Sequence, residues 1–362
     1  MASNNEFGGG NRQGSHAQGQ GFVPAAGSYA NNDLVRVRKK RKRHTALKRV
    51  LLGVLIAIVV VAAGTAGYAA WYMNSLSGNI AMDSQEQQQL NEVLTPVEDN
   101  KVQPYYVLLV GSDNWETYGE RSDALVLVRV DQANHQITMV SVPRDTPYML
   151  DGQKVKINQA FAEKGATGAV EAVEQVTGVK IAHYAEIEFA GLADFVDTVG
   201  GIHVNVPYTI DYQVYTQDQD VVHIDAGQQR LDGEQCVALA RMRTAYGDDQ
   251  DAKRQANVRA MTEALMKTVL KSSPAAIPGL VQELSKCFST SMDLNDIVSL
   301  ATDFSSAGNV TFYTCTGPYK GDIDEATGMW LCYDDPQGWA TLMAAVDKGE
   351  NPENAATTVN GK

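Results

Sequence analysis

The spacing of apolar and polar positions divides the chain from Tyr105 onward into short alternating strands and helices. Tyr105–Val110 is a continuous apolar run that ends at Gly111, a pattern typical of a strand buried on both faces. Two more β-rich runs, 124–131 and 136–142, flank a polar turn at 132–135. Further strands are predicted at 184–189, 202–206, 310–314 and 330–333, and helices at 167–177, 190–199, 232–240, 252–271, 276–287, 293–304 and 336–347. This order predicts an α/β fold with a mixed central β-sheet and helices on both faces.

A longer apolar run precedes this domain. Val50–Met73 carries no charged residue, and it exceeds the about 20 residues that span the hydrocarbon of a bilayer. A block of Lys and Arg at 36–43, followed by Lys48 and Arg49, lies on one side only. The pattern predicts a single transmembrane helix at 50–73 with a cytoplasmic N-terminus. A cleaved signal peptide is disfavoured, because its apolar part usually has only about 7–15 residues.

The remaining segments complete the domain organisation. Residues 1–49 form a polar arm with the basic block and are expected to be disordered in the cytoplasm. Residues 74–104, rich in Gln and Glu, predict an extracytoplasmic stalk. One folded domain at 105–347 and a flexible tail at 348–362 follow.

Charge narrows the classes of partner. The chain has a net charge of −13 although its basic block lies before the apolar run, so the domain beyond that run is more acidic still. This charge argues against nucleic acid as a partner. Topology and contact with anionic lipids explain the basic block better than a folded DNA-binding domain does.

Arginines cluster at two places on this acidic domain, and the second cluster includes carboxylates. Guanidinium groups bind phosphate oxygens through paired, charge-assisted hydrogen bonds. Two nearby carboxylates suit Mg²⁺ or Mn²⁺, which share protein oxygens with substrate phosphates. The pattern predicts a site for a diphosphate, formed by Arg241, Arg243 and Arg254 together with Arg121, Arg144, Asp113 and Asp123.

The hairpin between 124–131 and 136–142 places two of these residues. If its turn centres between Ala133 and Asn134, Asp123 lies opposite Arg144, and opposed side chains have Cβ atoms about 4.5–5.5 Å apart. A structural salt bridge at the end of the sheet is the equally supported alternative.

Arg241 and Arg243 make a second geometric prediction. Residues i and i+2 point to different sides of a helix but share a face of an extended segment. For both to bind one phosphate group, the helix at 232–240 must end near Ala240 and the chain must continue extended through Arg243. The alternative is two solvated arginines at a helix C-terminus, where cations are favoured.

The four cysteines all follow the apolar run, in a compartment where disulfides persist. Cys315 and Cys332 flank a loop that contains Gly and Pro, and a disulfide between them is predicted. Cys236 lies in a helical stretch and is expected to be a small buried residue.

Six segments in order resemble the motifs of the LytR-CpsA-Psr family. The resemblance runs from about Tyr105 to Arg259, and the predicted anchor agrees with it. The segments are Leu109-Val110-Gly111-Ser112-Asp113, Arg121-Ser122-Asp123, Ser141-Val142-Pro143-Arg144-Asp145-Thr146, Lys156-Ile157-Asn158, Val199-Gly200-Gly201-Ile202-His203-Val204, and Leu231-Asp232-Gly233-Glu234-Gln235 leading into Ala240-Arg241-Met242-Arg243.

The resemblance implies a membrane-anchored phosphotransferase of the bacterial cell envelope. Such an enzyme moves a glycopolymer from an undecaprenyl-diphosphate carrier to a hydroxyl of peptidoglycan and releases undecaprenyl phosphate; some relatives glycosylate proteins instead. By position, Asp113 and Asp123 correspond to the carboxylates near Mg²⁺. The residues corresponding to the arginines around the lipid diphosphate are Arg121, Arg144, Arg241, Arg243 and Arg254.

Catalysis is expected to rest on Asp123, Arg144 and Asp145. Arginines and Mg²⁺ stabilise charge during phosphoryl transfer, and either Asp123 or Asp145 accepts the proton of the attacking hydroxyl. Two alternatives remain, a polyprenyl-diphosphate hydrolase that uses water as the acceptor and a lipid-binding regulator without enzymatic activity.

One position departs from the family pattern. The family often has Arg-x-x-Arg-Gln after the Arg-x-Arg pair, and aligning its first arginine with Arg254 puts Asn257 and Val258 at the last two positions. The usual glutamine is then missing, unless Gln255 substitutes from a neighbouring turn.

Overall fold

The structure is a computed structural model that describes residues 82–98, 103–115, 119–213, 221–242 and 250–359. Within those ranges, no helix is long and apolar enough to cross a bilayer. The predicted arm at 1–49 and transmembrane helix at 50–73 lie outside the described residues.

Strands and helices alternate along the chain much as the apolar pattern predicts. The strands are β1 Tyr105–Trp115, β2 Gly119–Asp131, β3 Gln136–Val142, β4 Pro147–Leu150, β5 Gln153–Lys156, β6 His183–Glu188, β7 Ile202–Val206, β8 Ile210–Gln213, β9 Val221–Ile224, β10 Gly227–Leu231, β11 Phe288–Thr290, β12 Thr311–Thr316, β13 Tyr319–Ile323 and β14 Trp330–Asp334. The helices are α1 Ser84–Val93, α2 Ile157–Thr177, α3 Phe189–Thr198, α4 Gly233–Arg241, α5 Gln250–Leu270, α6 Ile277–Leu284, α7 Leu294–Ser306, α8 Pro336–Asp347 and α9 Pro352–Val359.

Six strands form the central sheet, in the order β11-β6-β1-β2-β3-β12. β1 pairs antiparallel with β2 and parallel with β6. β3 pairs antiparallel with β2 and parallel with β12. The sheet is therefore mixed, as predicted, and the C-terminal ends of β1, β3, β6 and β12 meet at the same edge as the N-terminal part of β2.

Alternate residues of β2 face two different cores, which places helices on both faces of the sheet. Leu125 and Leu127 pack in a cluster that also holds residues of α2 and α8. Val126 and Val128 pack on the opposite face, in a cluster that includes residues of α5 and α7. The period of two along a strand produces this division.

Several short strands, including β4, β5, β8, β9 and β13, were not predicted from the sequence, whereas β14 was predicted at 330–333. β4 pairs with β5, β8 with β9, and β13 with β14, each as an antiparallel two-stranded sheet. These missed strands have only four or five residues each, which is at the lower limit for recognising an alternating pattern.

The segment predicted to be a stalk contains α1, which packs on the folded domain. Leu90 is fully buried and Leu94 nearly so, and both belong to the same cluster as the residues of α2. The backbone N–H of Thr95 donates to the carbonyl of Ile181 at 2.8 Å. The folded domain therefore begins before Tyr105, and α9 likewise lies within the predicted flexible tail at 348–362.

Leu90→Ala tests whether α1 is part of the folded domain. The substitution removes a fully buried side chain, and we expect the free energy of unfolding to fall by about 2–5 kcal/mol. Gln89→Ala, on the exposed face of the same helix, is the matched control and should leave thermal unfolding unchanged. If the two variants melt at the same temperature as the wild type, α1 does not belong to the cooperative unit.

Candidate active site

The paired ends of β1 and β2 bring three predicted site residues to one edge of the sheet. Gly111 pairs with Ala124 and Ser112 with Ser122, so Asp123 is the extra residue of a β-bulge. Beyond the bulge, Asp113 lies opposite Arg121. Bulges are common next to active sites, because they redirect the chain and interrupt pairing. The side chains of Asp113, Arg121 and Asp123 lie outside what the structure describes.

The predicted register between β2 and β3 is confirmed where the two strands pair, since Leu125 lies opposite Val142 and Asp131 opposite Gln136. The ladder ends there. Pro143 has no N–H to donate to it, and Arg144 lies in a turn in which the N–H of Thr146 donates to the carbonyl of Pro143 at 3.0 Å. The prediction that Arg144 continues β3 opposite Asp123 was therefore wrong.

Backbone hydrogen bonds hold the Arg144-Asp145 turn from two sides. The N–H of Asn158, in the first turn of α2, donates to the carbonyl of Arg144 at 3.3 Å. On the other side, the N–H of Cys332 in β14 donates to the carbonyl of Asp145 at 2.9 Å. The Lys156-Ile157-Asn158 segment is thus part of the support of this turn.

The Asp145 carboxylate is held by two cations. Lys156 Nζ lies 2.7 Å from Asp145 Oδ1, and Arg144 Nε lies 3.9 Å from Asp145 Oδ2. The side chains of Arg144 and Asp145 are 15% and 10% exposed. The motif that contains Lys156 does not predict this ion pair, which forms because the unpredicted β4–β5 hairpin places Lys156 opposite Pro147, close to Asp145.

The helix before the Arg-x-Arg pair ends one residue later than predicted. α4 closes at Arg241, and Met242 leaves the helix with φ −60° and ψ 133°, which is extended backbone. Arg241 therefore lies at the last helical position, and Arg243 lies outside the described residues. The predicted extended chain is observed at Met242, whereas Arg241 itself is still helical, so the shared face of Arg241 and Arg243 stays a prediction.

Helix α5 carries a row of buried polar residues towards the sheet. Arg254 is 1% exposed and Gln255 and Asn257 are each 5% exposed. Arg259 is also buried, and its Nη1 donates to Ser141 Oγ at 2.6 Å. Burial lowers the pKa of Arg259 to about 10. No sequence pattern points to Arg259, because its contact with β3, the strand before Arg144, arises only in the tertiary fold.

An apolar cavity lies between the sheet, α3, α4 and α5. It has a volume of about 590 Å³, counting the part that is open to solvent. The lining is apolar apart from the thiol of Cys236 and the hydroxyl of Thr262, and Cys236 is buried as predicted. The lining residues are Leu109, Val110, Gly111, Ala124, Val126, Ile187, Leu192, Val196, Ile202, Cys236, Ala240, Val258, Met261, Thr262 and Leu265.

The lining of this cavity is continuous in the chain with the predicted polar residues. Ala124 directly follows Asp123, and Ala240 directly precedes Arg241. On α5, Arg254 lies one turn before Val258, on the helical face that continues to Met261 and Leu265. Asp123, Arg241 and Arg254 therefore lie beside residues that line the cavity, along β2, α4 and α5 respectively.

Val258 and Gln255 have different surroundings. Val258 lines the cavity and packs in an apolar cluster, an environment that does not suit a glutamine side chain. Gln255 is buried directly beside Arg254 in the sequence. The structure thus places a buried Arg-Gln pair at 254–255.

The residue before Asp123 leaves a buried polar atom unsatisfied. Ser122 Oγ is buried and has no hydrogen-bond partner among the described residues, and Ser122 lies between Arg121 and Asp123. Such an orphaned buried hydroxyl is costly unless a ligand or water satisfies it. Among the side chains that the structure describes, no group of three His, Cys, Asp or Glu can hold a metal, but Asp113 and Asp123 are outside that set.

The predicted disulfide is not formed, since Cys315 is a free thiol in the structure. Cys315 lies in β12 of the central sheet, whereas Cys332 lies in β14 of the separate hairpin, opposite Gly321. Burial raises the pKa of the Cys315 thiol to about 12. The two cysteines flank one loop in sequence but belong to different sheets, which spacing alone does not reveal.

Comparison with known proteins now decides the family. The model of the LytR_cpsA_psr family matches residues 68–337, which is most of the chain and includes every element of the candidate site. The chain belongs to the LytR-CpsA-Psr family.

Two relatives within the LytR-CpsA-Psr family carry the name polyisoprenyl-teichoic acid–peptidoglycan teichoic acid transferase. TagV of Bacillus subtilis is 33% identical over 203 residues, which cover 54% of this chain and 51% of TagV. TagU of Enterococcus faecalis is 29% identical over 265 residues, which cover 71% of this chain and 83% of TagU. The matched stretch thus spans about half the length of TagV and most of TagU.

Solved LytR-CpsA-Psr structures share the fold. The crystal structure of B. subtilis TagV is 26% identical, with a TM-score of 0.56, and the match covers 72% of this chain and 97% of that one. A structure of TagT bound to LIIa-WTA is 21% identical with a TM-score of 0.55 and covers 72% and 93%, which supports the fold alone. The mixed sheet with its helices is therefore the family fold, as predicted.

The state of Cys315 can be tested directly. A buried thiol with a raised pKa holds little thiolate, which is the reactive form. We expect iodoacetamide at pH 8 to leave Cys315 unmodified in the folded chain and to modify it fully after unfolding without a reductant, as measured by peptide mass spectrometry. A peptide that joins Cys315 to Cys332 in non-reduced digests would contradict the structure.

Proposed function

We propose that this chain is a membrane-anchored phosphotransferase of the cell envelope. It moves a glycopolymer from an undecaprenyl-diphosphate carrier to a hydroxyl of peptidoglycan and releases undecaprenyl phosphate. The proposal rests on the apolar cavity. Its lining residues Gly111, Ala124 and Ala240 lie close in the chain to the predicted cationic and acidic residues. An isoprenoid diphosphate has the same division into an apolar chain and a charged head.

The names of TagV and TagU support this substrate class, since both specify a polyisoprenyl-linked polymer as donor and peptidoglycan as acceptor. The apolar run at 50–73 and the basic block before it support a single-pass anchor that keeps the catalytic domain outside the cytoplasm. An anchored enzyme meets its lipid donor at the membrane surface.

The cations bind the head group. Arg241 at the end of α4 and the buried Arg254 in α5 approach the diphosphate from the helical side. Arg144, fixed by its turn, approaches from the sheet, and we assign Arg121 and Arg243 to the same group. Preorganised guanidinium groups in a site of low dielectric constant stabilise charge that develops on phosphate oxygens.

Gln255 supplies the glutamine of the family pattern. Arg254 and Gln255 then occupy the last two positions of Arg-x-x-Arg-Gln, because both are buried whereas Val258 lines the apolar cavity. The first arginine of the pattern is replaced by Asp251 in this chain.

In the reaction, the acceptor hydroxyl oxygen attacks the phosphorus that carries the glycan. A new P–O bond forms, the bond from that phosphorus to the bridging oxygen breaks, and the bridging oxygen leaves as part of undecaprenyl phosphate. The hydroxyl proton passes to a carboxylate. We assign this base to Asp123, because both carboxylate oxygens of Asp145 face cations; Asp145 then positions Arg144.

A divalent cation completes the site. Asp113 and Asp123, which the β1–β2 pairing brings to one edge of the sheet, would supply the hard oxygen ligands that Mg²⁺ or Mn²⁺ prefers. When bound, the ion adds positive charge beside the diphosphate oxygens.

Arg241→Ala tests the head-group assignment. The substitution removes a charge-assisted contact, which contributes about 1.5–3 kcal/mol. We expect undecaprenyl diphosphate to raise the melting temperature of the full chain in detergent, and we expect the variant to lose most of this rise and its transfer activity.

Lys180→Ala is the charge-matched control, since the Lys180 side chain is 70% exposed. It should retain both the thermal shift and transfer of labelled glycopolymer to peptidoglycan fragments. An Arg241 variant that behaves like this control would exclude Arg241 from the site, and absence of any lipid-induced shift in the wild type would overturn the proposed function.

Chelation tests the metal. We expect excess EDTA to abolish transfer and added Mg²⁺ or Mn²⁺ to restore it, while the melting curve of the unliganded chain stays the same. Asp123→Asn should be inactive with or without added metal. Full transfer in excess EDTA would remove the ion from the mechanism and leave Asp123 as a base or positioning residue.

A further inference from the structure

An exposed indole lies on the hairpin of β13 and β14, outside the residues assigned above. Trp330 is 51% exposed and Ile323 is 60% exposed, and the two residues are directly opposite each other in the hairpin, so they share one face. A Cβ atom built on Gly321 would lie 2.5 Å from Cζ2 of the indole. The ring therefore rests on the glycine backbone, and we refer to Gly321, Ile323 and Trp330 as the Trp330 platform.

The platform points towards the active site. Gly321 pairs with Cys332, so the indole leans along β14 in the direction of Cys332. The N–H of Cys332 donates to the carbonyl of Asp145 at 2.9 Å. Two residues of strand span about 7 Å, and this short step separates Trp330 from the strand position bonded to the Arg144-Asp145 turn.

The hairpin is held rigid at its turn. Asp324, only 5% exposed, accepts hydrogen bonds from Thr327 Oγ1 at 2.6 Å and from Tyr333 Oη at 2.7 Å. Its carboxylate also binds Lys154 Nζ at 3.0 Å, which ties the turn to β5. Rigid support reduces the entropy lost when an exposed side chain binds a ligand.

The charges around the platform limit what it can bind. Asp322, Glu325 and Lys320 are exposed on the same hairpin. Lys154 is already paired with Asp324, so carboxylates outnumber unpaired cations there. A polyanionic chain would meet like charge here. A sugar ring without charge suits the platform, since its apolar C–H face packs on the negative face of an indole.

We propose that the Trp330 platform binds the acceptor glycan, by stacking one sugar ring on the indole and so presenting a neighbouring hydroxyl to the Arg144-Asp145 turn. The inference rests on the proposed function, in which that glycan is the sugar strand of peptidoglycan. It assigns the acceptor to the β13–β14 side of the site, separate from the apolar cavity that holds the lipid of the donor.

Two substitutions at one position separate stacking from general apolar contact. Trp330→Tyr keeps an aromatic face, whereas Trp330→Leu keeps apolar bulk without one. With the full chain in detergent and a saturating lipid-linked donor, we expect Trp330→Leu to raise the KM for glycan fragments roughly tenfold, as for the truncation of an aromatic anchor. The kcat and the KM for the donor should stay unchanged, and Trp330→Tyr should resemble the wild type.

Binding to insoluble peptidoglycan, measured by sedimentation without donor, does not depend on transfer. If the wild type transfers glycopolymer and all three proteins share one acceptor KM, the platform inference is wrong while the proposed function stands. If no transfer occurs but only Trp330→Leu loses sedimentation, the proposed function fails and the glycan site stands. Full retention by Trp330→Leu would instead indicate an apolar protein-binding surface and overturn the inference.

A spectroscopic measurement on Trp330 itself covers the case in which Trp330→Leu fails to fold. The chain has four Trp residues, and 5-fluorotryptophan labelling gives each a ¹⁹F signal, with Trp330 assigned by its loss in Trp330→Tyr. We expect glycan fragments to shift the Trp330 signal alone. A shift at the other tryptophans with none at Trp330 would contradict the proposal.

Discussion

The pairing of β1 with β2 is the constraint on which the rest of the site depends. β1 lies in the middle of the sheet, antiparallel to β2 and parallel to β6, and its apolar residues are shared between two cores. The register of that pairing shifts once, at Asp123, which lies next to the lining residue Ala124. Because a bulge changes which side of the strand each following residue faces, the change from apolar lining to polar site takes place within about one residue.

Residues from distant parts of the chain meet at the same edge of the sheet. The turn that carries Arg144 is bonded to the start of α2 and to β14, and Arg259 reaches from α5 to Ser141. This hydrogen bond joins α5 to β3, so Arg259 helps to set the position of α5 against the sheet. With α5 in that position, its buried Arg254 lies above the apolar stripe that lines the cavity. An anionic head group bound among these cations would offset part of the cost of holding them together.

Much of the fold was predictable because its signals are local. The apolar run at β1, the turn between β2 and β3 and the helical spacing of α5 each depend on neighbouring residues, and all three were predicted, although β1 continues past the apolar run to Trp115. Prediction failed where a local pattern had a distant cause. α1 looked like part of a stalk because its sequence is polar apart from a few residues such as Leu90, and only the surface of α2 explains its burial. Cys315 and Cys332 looked like a pair because one loop separates them, yet they belong to different sheets.

Residue types and their periodicity are set along the chain, so they specify the kind of chemistry and the order of the strands and helices. The sequence alone shows arginines on an acidic domain, carboxylates after a buried strand and a long uncharged apolar run. Only the tertiary structure decided which of these residues meet. The ion pair of Lys156 with Asp145 and the bulge at Asp123 depend on how neighbouring strands pair, and the cavity between the sheet, α3, α4 and α5 depends on contacts between residues far apart in sequence. Such contacts depend on how helices and strands pack, and periodicity carries no record of that packing.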